Sequence, residues 1–221
     1  MKKKQFNKMS AKSLVALLLA TLLLSCSNNQ KSKTVTIGDQ VWMAENMNVD
    51  KFRNGDPIPH AQTDEEWQQA GENGQPAWCY YDNDPANGKI YGKLYNWYAV
   101  SDWRGLAPEG WRVPSDEDWY KLIKIIGGEK VAGGKLKATD TTYWKSPNIG
   151  ATNETGFTAL PGGGRGDNGT FGTIGSYGDW WSATESSTLN AWGRDVDYDS
   201  GSVGRSNYGK GLGFSVRCLR D

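Results

Sequence analysis

The chain has 221 residues, in which 25 Lys+Arg balance 25 Asp+Glu. The balance is uneven along the chain: Lys2, Lys3, Lys4, Lys8 and Lys12 all precede an apolar run with no acid among them, and residues 26–221 keep an excess of five acids. Nucleic-acid binding by counterion release needs a basic surface, so an acidic body of this kind disfavours nucleic acid as a partner. All 11 Trp, all 10 Tyr and all 28 Gly lie in that body, where glycine reaches about twice its average usage of ~7%. Such a composition suits short strands and tight turns better than a helical bundle, and the aromatics argue against disorder.

Residues 1–25 read as a secretion signal. Leu14–Leu24 (LVALLLATLLL) follows the lysines and is too short for a membrane span, which takes ~20 residues. It ends in Leu23-Leu24-Ser25-Cys26, which resembles the bacterial lipobox. That resemblance implies cleavage before Cys26, a diacylglycerol on its thiol, acylation of its amine and hence a lipid anchor, since two or more acyl chains hold a protein stably to a bilayer. Residues 26–33 then form a polar, lipidated tether. Ser27 in place of Asp implies the outer membrane, by similarity to enterobacterial sorting.

The domain proper is expected over residues 34–221. Thr34–Ile37 and Gln40–Met43 flank Gly38-Asp39 as a hairpin. Asp64-Glu65-Glu66-Trp67 opens a short helix, and Trp78–Tyr81 is a strand closed by turn residues at Asp82–Pro85 and Asn87-Gly88. Leu94, Trp97 and Tyr98 fall at helical spacing, so Leu94–Val100 reads as a short helix. The clearest local signal is Ser115 with Asp118 three positions on, a capping box. It leads into Trp119, Leu122, Ile123 and Ile126 on one helical face, stopped by Gly127-Gly128. Three acids in that first turn already serve the helix dipole and are not read as a catalytic pair. Later strands are expected at Asp179–Ala183, Ala191–Tyr198 and Gly213–Leu219, with a turn at Asp199-Ser200-Gly201.

Cys79 and Cys218 are the cysteines left in the domain. An oxidising compartment makes one disulfide between them the expectation, with two buried thiols as the alternative. His60 is the sole histidine, in a turn-rich loop, and reads as an exposed loop residue; no GxSxG motif accompanies it.

Five segments carry a family resemblance: Val41–Met47 (VWMAENM), Tyr91–Val100 (YGKLYNWYAV), Gly110–Ser115 (GWRVPS), Trp180–Glu185 (WWSATE) and Gly213–Cys218 (GFSVRC). In this order they resemble the Fibrobacter succinogenes major paralogous domain, over roughly Val35 to Asp221. More distantly, the chain is similar to the formylglycine-generating, sulfatase-modifying family. That similarity implies an α+β, C-type-lectin-like fold with two helices around small antiparallel sheets and long, irregular Gly-rich loops. Cys218 has no neighbouring cysteine, so the copper-binding pair of that family's enzymes is missing, and the sugar-binding triplets of calcium-dependent lectins are missing too.

Trp42, Trp97, Trp111 and Trp119 have apolar neighbours and are expected in the core. Trp103, Trp144, Trp180, Trp181 and Trp192, with Arg165 of the Gly162–Asp167 loop, are the candidate ligand-binding residues, because aromatic faces near Gly-rich segments stack on sugar rings. Adjacent Trp180 and Trp181 point to opposite faces of a strand, leaving at most one free. Asp195, Asp197 and Asp199 share a strand face and form a weak Ca²⁺ candidate; the plainer reading is a solvated face countered by Arg194 or Arg205. No other metal or cofactor is expected. These features lead to the expectation of a non-enzymatic, lipid-anchored envelope or cell-surface protein that binds a polysaccharide or a partner protein. A structural lipoprotein of the outer membrane and a divergent enzyme on the modifying-enzyme fold are the alternatives.

Overall fold

The computed structural model describes residues 33–221. The expected signal, Cys26 and the first residues of the tether lie outside the described residues. Among the described residues no helix is long and apolar enough to cross a membrane.

The architecture is mixed α and β, with small antiparallel sheets and five helices among the described residues. Strands β1 (Thr34–Ile37) and β2 (Gln40–Met43) form the expected hairpin. Helix α1 (Asp64–Glu72) starts in a capping box between Thr63 and Glu66. Strand β3 (Trp78–Cys79) pairs with β4 (Leu94–Tyr95), and between them α2 spans Pro85–Tyr91. The turn reading of Asn87-Gly88 is therefore corrected. Asp84 accepts from the Ala86 amide as N-cap and Pro85 occupies the first turn, so the same residue types begin a helix. The helix expected over Leu94–Val100 is also shorter than its spacing implied. Leu94 and Tyr95 are strand, and Asn96 caps α3 (Trp97–Val100).

Strand β5 (Trp111–Arg112) leads into α4 (Asp116–Ile125), where Ser115 and Asp118 make the expected capping box. Burial opposes ionisation of Asp118, but bonds from Arg112 and Ser115 prevail and bring its pKa down to about 2. After Gly127-Gly128 comes α5 (Glu129–Leu136), which the sequence reading did not contain. Its Gly133 and Gly134 are packing residues: a Cβ at either would lie 2.0 Å from the Ser202 carbonyl oxygen or 2.1 Å from that of Gly150.

The remaining strands are β6 (Gly164–Arg165), β7 (Phe171–Gly172), β8 (Tyr177–Glu185), β9 (Asn190–Asp197), β10 (Val203–Gly209) and β11 (Leu219–Arg220). Strands β8, β9 and β10 form one antiparallel sheet, and β11 sits between β2 and β5 in another. Of the strand expected over Gly213–Leu219, the chain realises isolated bridges at Gly213, Phe214 and Ser215 and a final pairing at Leu219.

The three-stranded sheet separates two parts of the core. Trp180 faces α4, where it joins Trp42, Trp119 and Phe157; Trp181 faces the other way, onto Phe214 and Tyr208. The alternation expected for adjacent tryptophans holds, but both rings are buried, so neither is free for a ligand. A third cluster packs Trp67, Cys79, Tyr81 and Leu94 under α1.

The segments are joined at Asn46. Its Oδ1 accepts from Arg217 Nε (2.9 Å), Arg217 Nη2 (2.7 Å) and Trp180 Nε1 (2.9 Å), and its amide donates to the Tyr91 carbonyl (2.8 Å) and the Ser215 hydroxyl (3.2 Å). Arg217 is 1% exposed and also donates to the Phe157 carbonyl. Burial lowers its pKa to about 9, leaving it charged at neutral pH.

Cys79 and Cys218 are free and buried in different clusters, which corrects the disulfide expectation. Burial pushes each thiol up to about 12, out of the range of reactive thiolates. Both should therefore stay inert to a thiol reagent in the folded protein and react in denaturant without prior reduction; a mass two hydrogens short would contradict this. Asn46→Ala removes the acceptor of a buried guanidinium. It should destabilise the fold by about 3 kcal/mol, a fall in Tm of roughly 6–12 °C by circular dichroism.

Candidate functional site

Register on the three-stranded sheet sorts charge by face. Asp179 of β8 stands opposite Asp195 of β9, which stands opposite Gly204 of β10. One step along, Trp180, Arg194 and Arg205 form the next row, and side chains of successive rows point to opposite faces. The acids thus lie on the side of Trp181 and Phe214, and the arginines on the side of α4.

On the acidic side, the β6–β7 hairpin and the segment Leu212–Phe214 border a groove of about 230 Å³. Phe171, Phe214 and Leu212 supply its apolar edges, Thr170 and Thr173 its hydroxyls, and Asp179 its carboxyl group. Asp179 is 8% exposed, and among the described residues no hydrogen-bond donor reaches its carboxylate. Burial, then the neighbouring charges of Asp195 and Asp197, raise its pKa to about 7. Asp195 is better placed, since the Tyr208 hydroxyl donates to it at 3.0 Å, yet burial still raises its pKa. Gly204 makes room for this pair, because a Cβ there would sit 2.3 Å from the Asp195 carboxylate.

The Asp179 oxygens are not fully enclosed and reach solvent at the groove, but burial of the rest of the side chain still disfavours the charge. This carboxyl borders a groove with half-buried Phe171, buried Phe214 and the exposed hydroxyls of Thr170 and Thr173, where a ligand with hydroxyl or amine groups would supply donors. The volume is below the ~300–1,000 Å³ of enclosed small-molecule pockets, so the groove accommodates one ring or side group of a larger ligand.

The sequence candidates are dispersed by the structure. Trp103 is 88% exposed on a turn beside the Asp102–Arg104 ion pair, far from being a core residue. Trp192 is half-buried, with the Arg205 guanidinium 3.4 Å above its ring. Trp144 is buried and donates to the Ala159 carbonyl; with Trp180 and Trp181 it belongs to the core, and all three are corrected as ligand contacts. Arg165 is corrected likewise. Its guanidinium is buried between Trp67 and Phe171 and donates to the carbonyls of Gly169, Ala61 and Thr63 and to Asp64. It borders the groove as the clamp that holds the hairpin on α1.

Asp195, Asp197 and Asp199 do not converge on a metal: no group of three His, Cys, Asp or Glu arranged for one is found among the described residues. Their expected countercharges are also reassigned, since Arg194 and Arg205 lie across the sheet on Asp116. Lys137 is the cation nearest Asp197 and Asp199, with Nζ bonded to the carbonyls of Ile149, Asp197 and Ser200. His60 is half-buried rather than exposed, stacked on Trp78 at 3.8 Å. Sequence reasoning placed Asp179 at the start of a strand without assigning it a role. The available signal was the spacing of Asp179 and Trp181, which puts a carboxyl on the same strand face as a buried tryptophan.

No curated protein and no solved structure matches the chain. The family model described as the Fibrobacter succinogenes major domain matches residues 35–220, from the first strand to the last. That span contains the Asn46 junction and both faces of the three-stranded sheet, and the chain belongs to this family.

Proposed function

We propose that the protein is a lipid-anchored component of the outer membrane whose C-type-lectin-like domain binds an extracellular polysaccharide at the Asp179 groove, without catalysis. The single observation that carries this reading is the unpartnered Asp179 carboxyl among Phe171, Phe214, Thr170 and Thr173. Sugar hydroxyls donate to a carboxylate, and apolar ring faces pack on aromatic edges. The open, small groove suits one residue of a polymer. The signal-like Leu14–Leu24 and Cys26 supply the anchor that would hold this domain at the cell surface.

A second reading, a divergent enzyme, is favoured by the register that sets Asp179 against Asp195, two carboxyls on one sheet face with raised pKa values. Such pairs provide general acid and base groups. Turnover of a bound oligosaccharide, lost in Asp179→Asn, would replace the binding reading with this one.

Binding to arrayed glycans, followed by titration of a neutral oligosaccharide hit, tests the proposal. Asp179→Asn should weaken binding about tenfold, the loss expected for one charge-assisted hydrogen bond. Affinity of the parent should rise from pH 5.5 to pH 8 as the carboxyl ionises; full binding by Asp179→Asn would refute the site. The effect on stability has the opposite sign. Because the folded pKa of about 7 exceeds the unfolded value of ~3.9, stability falls as pH rises between them. Asp179→Asn should accordingly raise Tm at pH 8, by ~2–4 °C for each kcal/mol relieved, and leave it unchanged at pH 3. Cys26→Ser should release the chain from the membrane fraction and abolish palmitate labelling.

A further inference from the structure

The opposite face of the same sheet carries a second, chemically distinct feature. Helices α4 and α5 meet strands β9 and β10 around a cleft of about 590 Å³. Lys124, Lys130, Arg194 and Arg205 line it, with Tyr120 and Ile123 as its apolar part. Glu129 is the one acid in the lining, and Asp116 lies behind it. This is a cationic cleft on a body with an excess of acids.

Two observations show that its positive charge is incompletely answered. Asp116 bridges two guanidiniums, with Oδ1 at 2.7 Å from Arg194 and Oδ2 at 2.9 Å from Arg205. One carboxylate therefore serves two cations. Arg194 is 2% exposed, and after its Nη bonds to Gly193 and Asp116 its Nε remains without an acceptor. A buried guanidinium with an unused donor is a site awaiting an anion or a costly defect.

The backbone adds donors at the same place. Gly128 is the N-cap of α5, an eight-residue helix, and provides no side-chain cap. Val131 already donates to the Gly128 carbonyl, but the Glu129 and Lys130 amides have no intrahelical acceptor, and the helix dipole there favours negative charge. Gly128 has open space around the position of a Cβ.

We propose that this cleft binds an oxyanion group, a carboxylate, sulfate or phosphate, through Arg194, Arg205, Lys124, Lys130 and the first-turn amides of α5. Neutral sugars lack such a group, so the cleft would select anionic ligands independently of the Asp179 groove. The anion can be free or carried by a polymer, and both sources share this recognition chemistry.

Titration of the ¹⁵N-labelled full chain with inorganic sulfate, at ionic strength held constant with chloride, tests the site. Saturable shifts are expected at the Glu129 and Lys130 amides and at the Arg194 Nε–H. Lys124→Gln with Lys130→Gln, at exposed positions that leave the Asp116 bridges intact, should weaken binding by about tenfold without changing Tm. A sulfated oligosaccharide that binds more tightly than sulfate, while its desulfated form does not bind, would identify a polymer-borne anion. Equal affinity for sulfate and the sulfated oligosaccharide would identify a free anion. Non-saturating shifts spread over distant lysines such as Lys51 and Lys89, or unchanged binding by the double variant, would overturn the assignment. Loss of glycan binding at Asp179 would not affect either outcome.

Discussion

The fold depends on a guanidinium buried without a carboxylate. Arg217 is almost wholly enclosed, and the neutral oxygen of Asn46 is its main acceptor, shared with Trp180. Such a charge is tolerated only where its donors are met by well-placed oxygens. The constraint acts over long sequence distances: Asn46 lies 171 positions from Arg217, 169 from Ser215 and 134 from Trp180. Unless those segments assemble together, each leaves a polar group stranded in an apolar interior. Only one orientation of the Asn46 amide serves, with the oxygen toward the cations and the nitrogen toward Tyr91 and Ser215. The motif segments around Asn46, Trp180 and Ser215–Arg217 are thus explained as framework and need no ligand to account for them.

The same logic governs two other buried cations. Lys137 is met by three backbone carbonyls, and Arg165 by three carbonyls and the carboxylate of Asp64. Carbonyl oxygens left over by short strands and irregular loops become acceptors for long side chains. In a domain whose sheets hold two to four strands, this replaces the ladder bonds that a larger sheet would provide. The abundance of glycine serves the arrangement, since Gly133 and Gly134 bring α5 against the carbonyls of Ser202 and Gly150 with no Cβ between them.

What could be read in the sequence was what is settled locally. The Ser115–Asp118 capping box, the apolar face from Trp119 to Ile126 and the hairpin at Gly38-Asp39 each depend on neighbours within a few positions. The alternation of Trp180 and Trp181 was legible for the same reason, being a property of any strand. Their burial was not, because it depends on which elements cover each face. Helix α5 was not legible because its Gly133 and Gly134, poor helix formers in a local window, are set by contact with the distant carbonyls of Ser202 and Gly150. Arg165 misled: a Gly-rich setting suggests display, whereas Trp67 and Phe171, distant in sequence, enclose it. The two candidate sites were illegible for a related reason. Asp179 with Asp195, and Arg194 with Asp116, are defined by strand register and helix docking, neither of which a local window contains.

Those two sites are best understood as exceptions to the framework rule. Arg217, Arg165 and Lys137 are each met by two or more oxygens, even when these come from remote loops. Asp179 receives no donor, although the Tyr208 hydroxyl stands on the same sheet face and bonds Asp195 instead. Arg194 keeps an unused Nε while Arg205 shares its only carboxylate. Both exceptions border open space, one a groove and the other a cleft, while Arg217 also borders a cavity yet is held by Asn46 and Phe157. Proximity to a cavity therefore does not by itself leave a group unsatisfied here. A group held short of partners, at a cost in stability that a nearby oxygen or hydroxyl could have relieved, is where a strained site and a working site coincide. The two proposed sites lie on opposite faces of the three-stranded sheet, and β9 contributes to both through adjacent residues, Arg194 and Asp195.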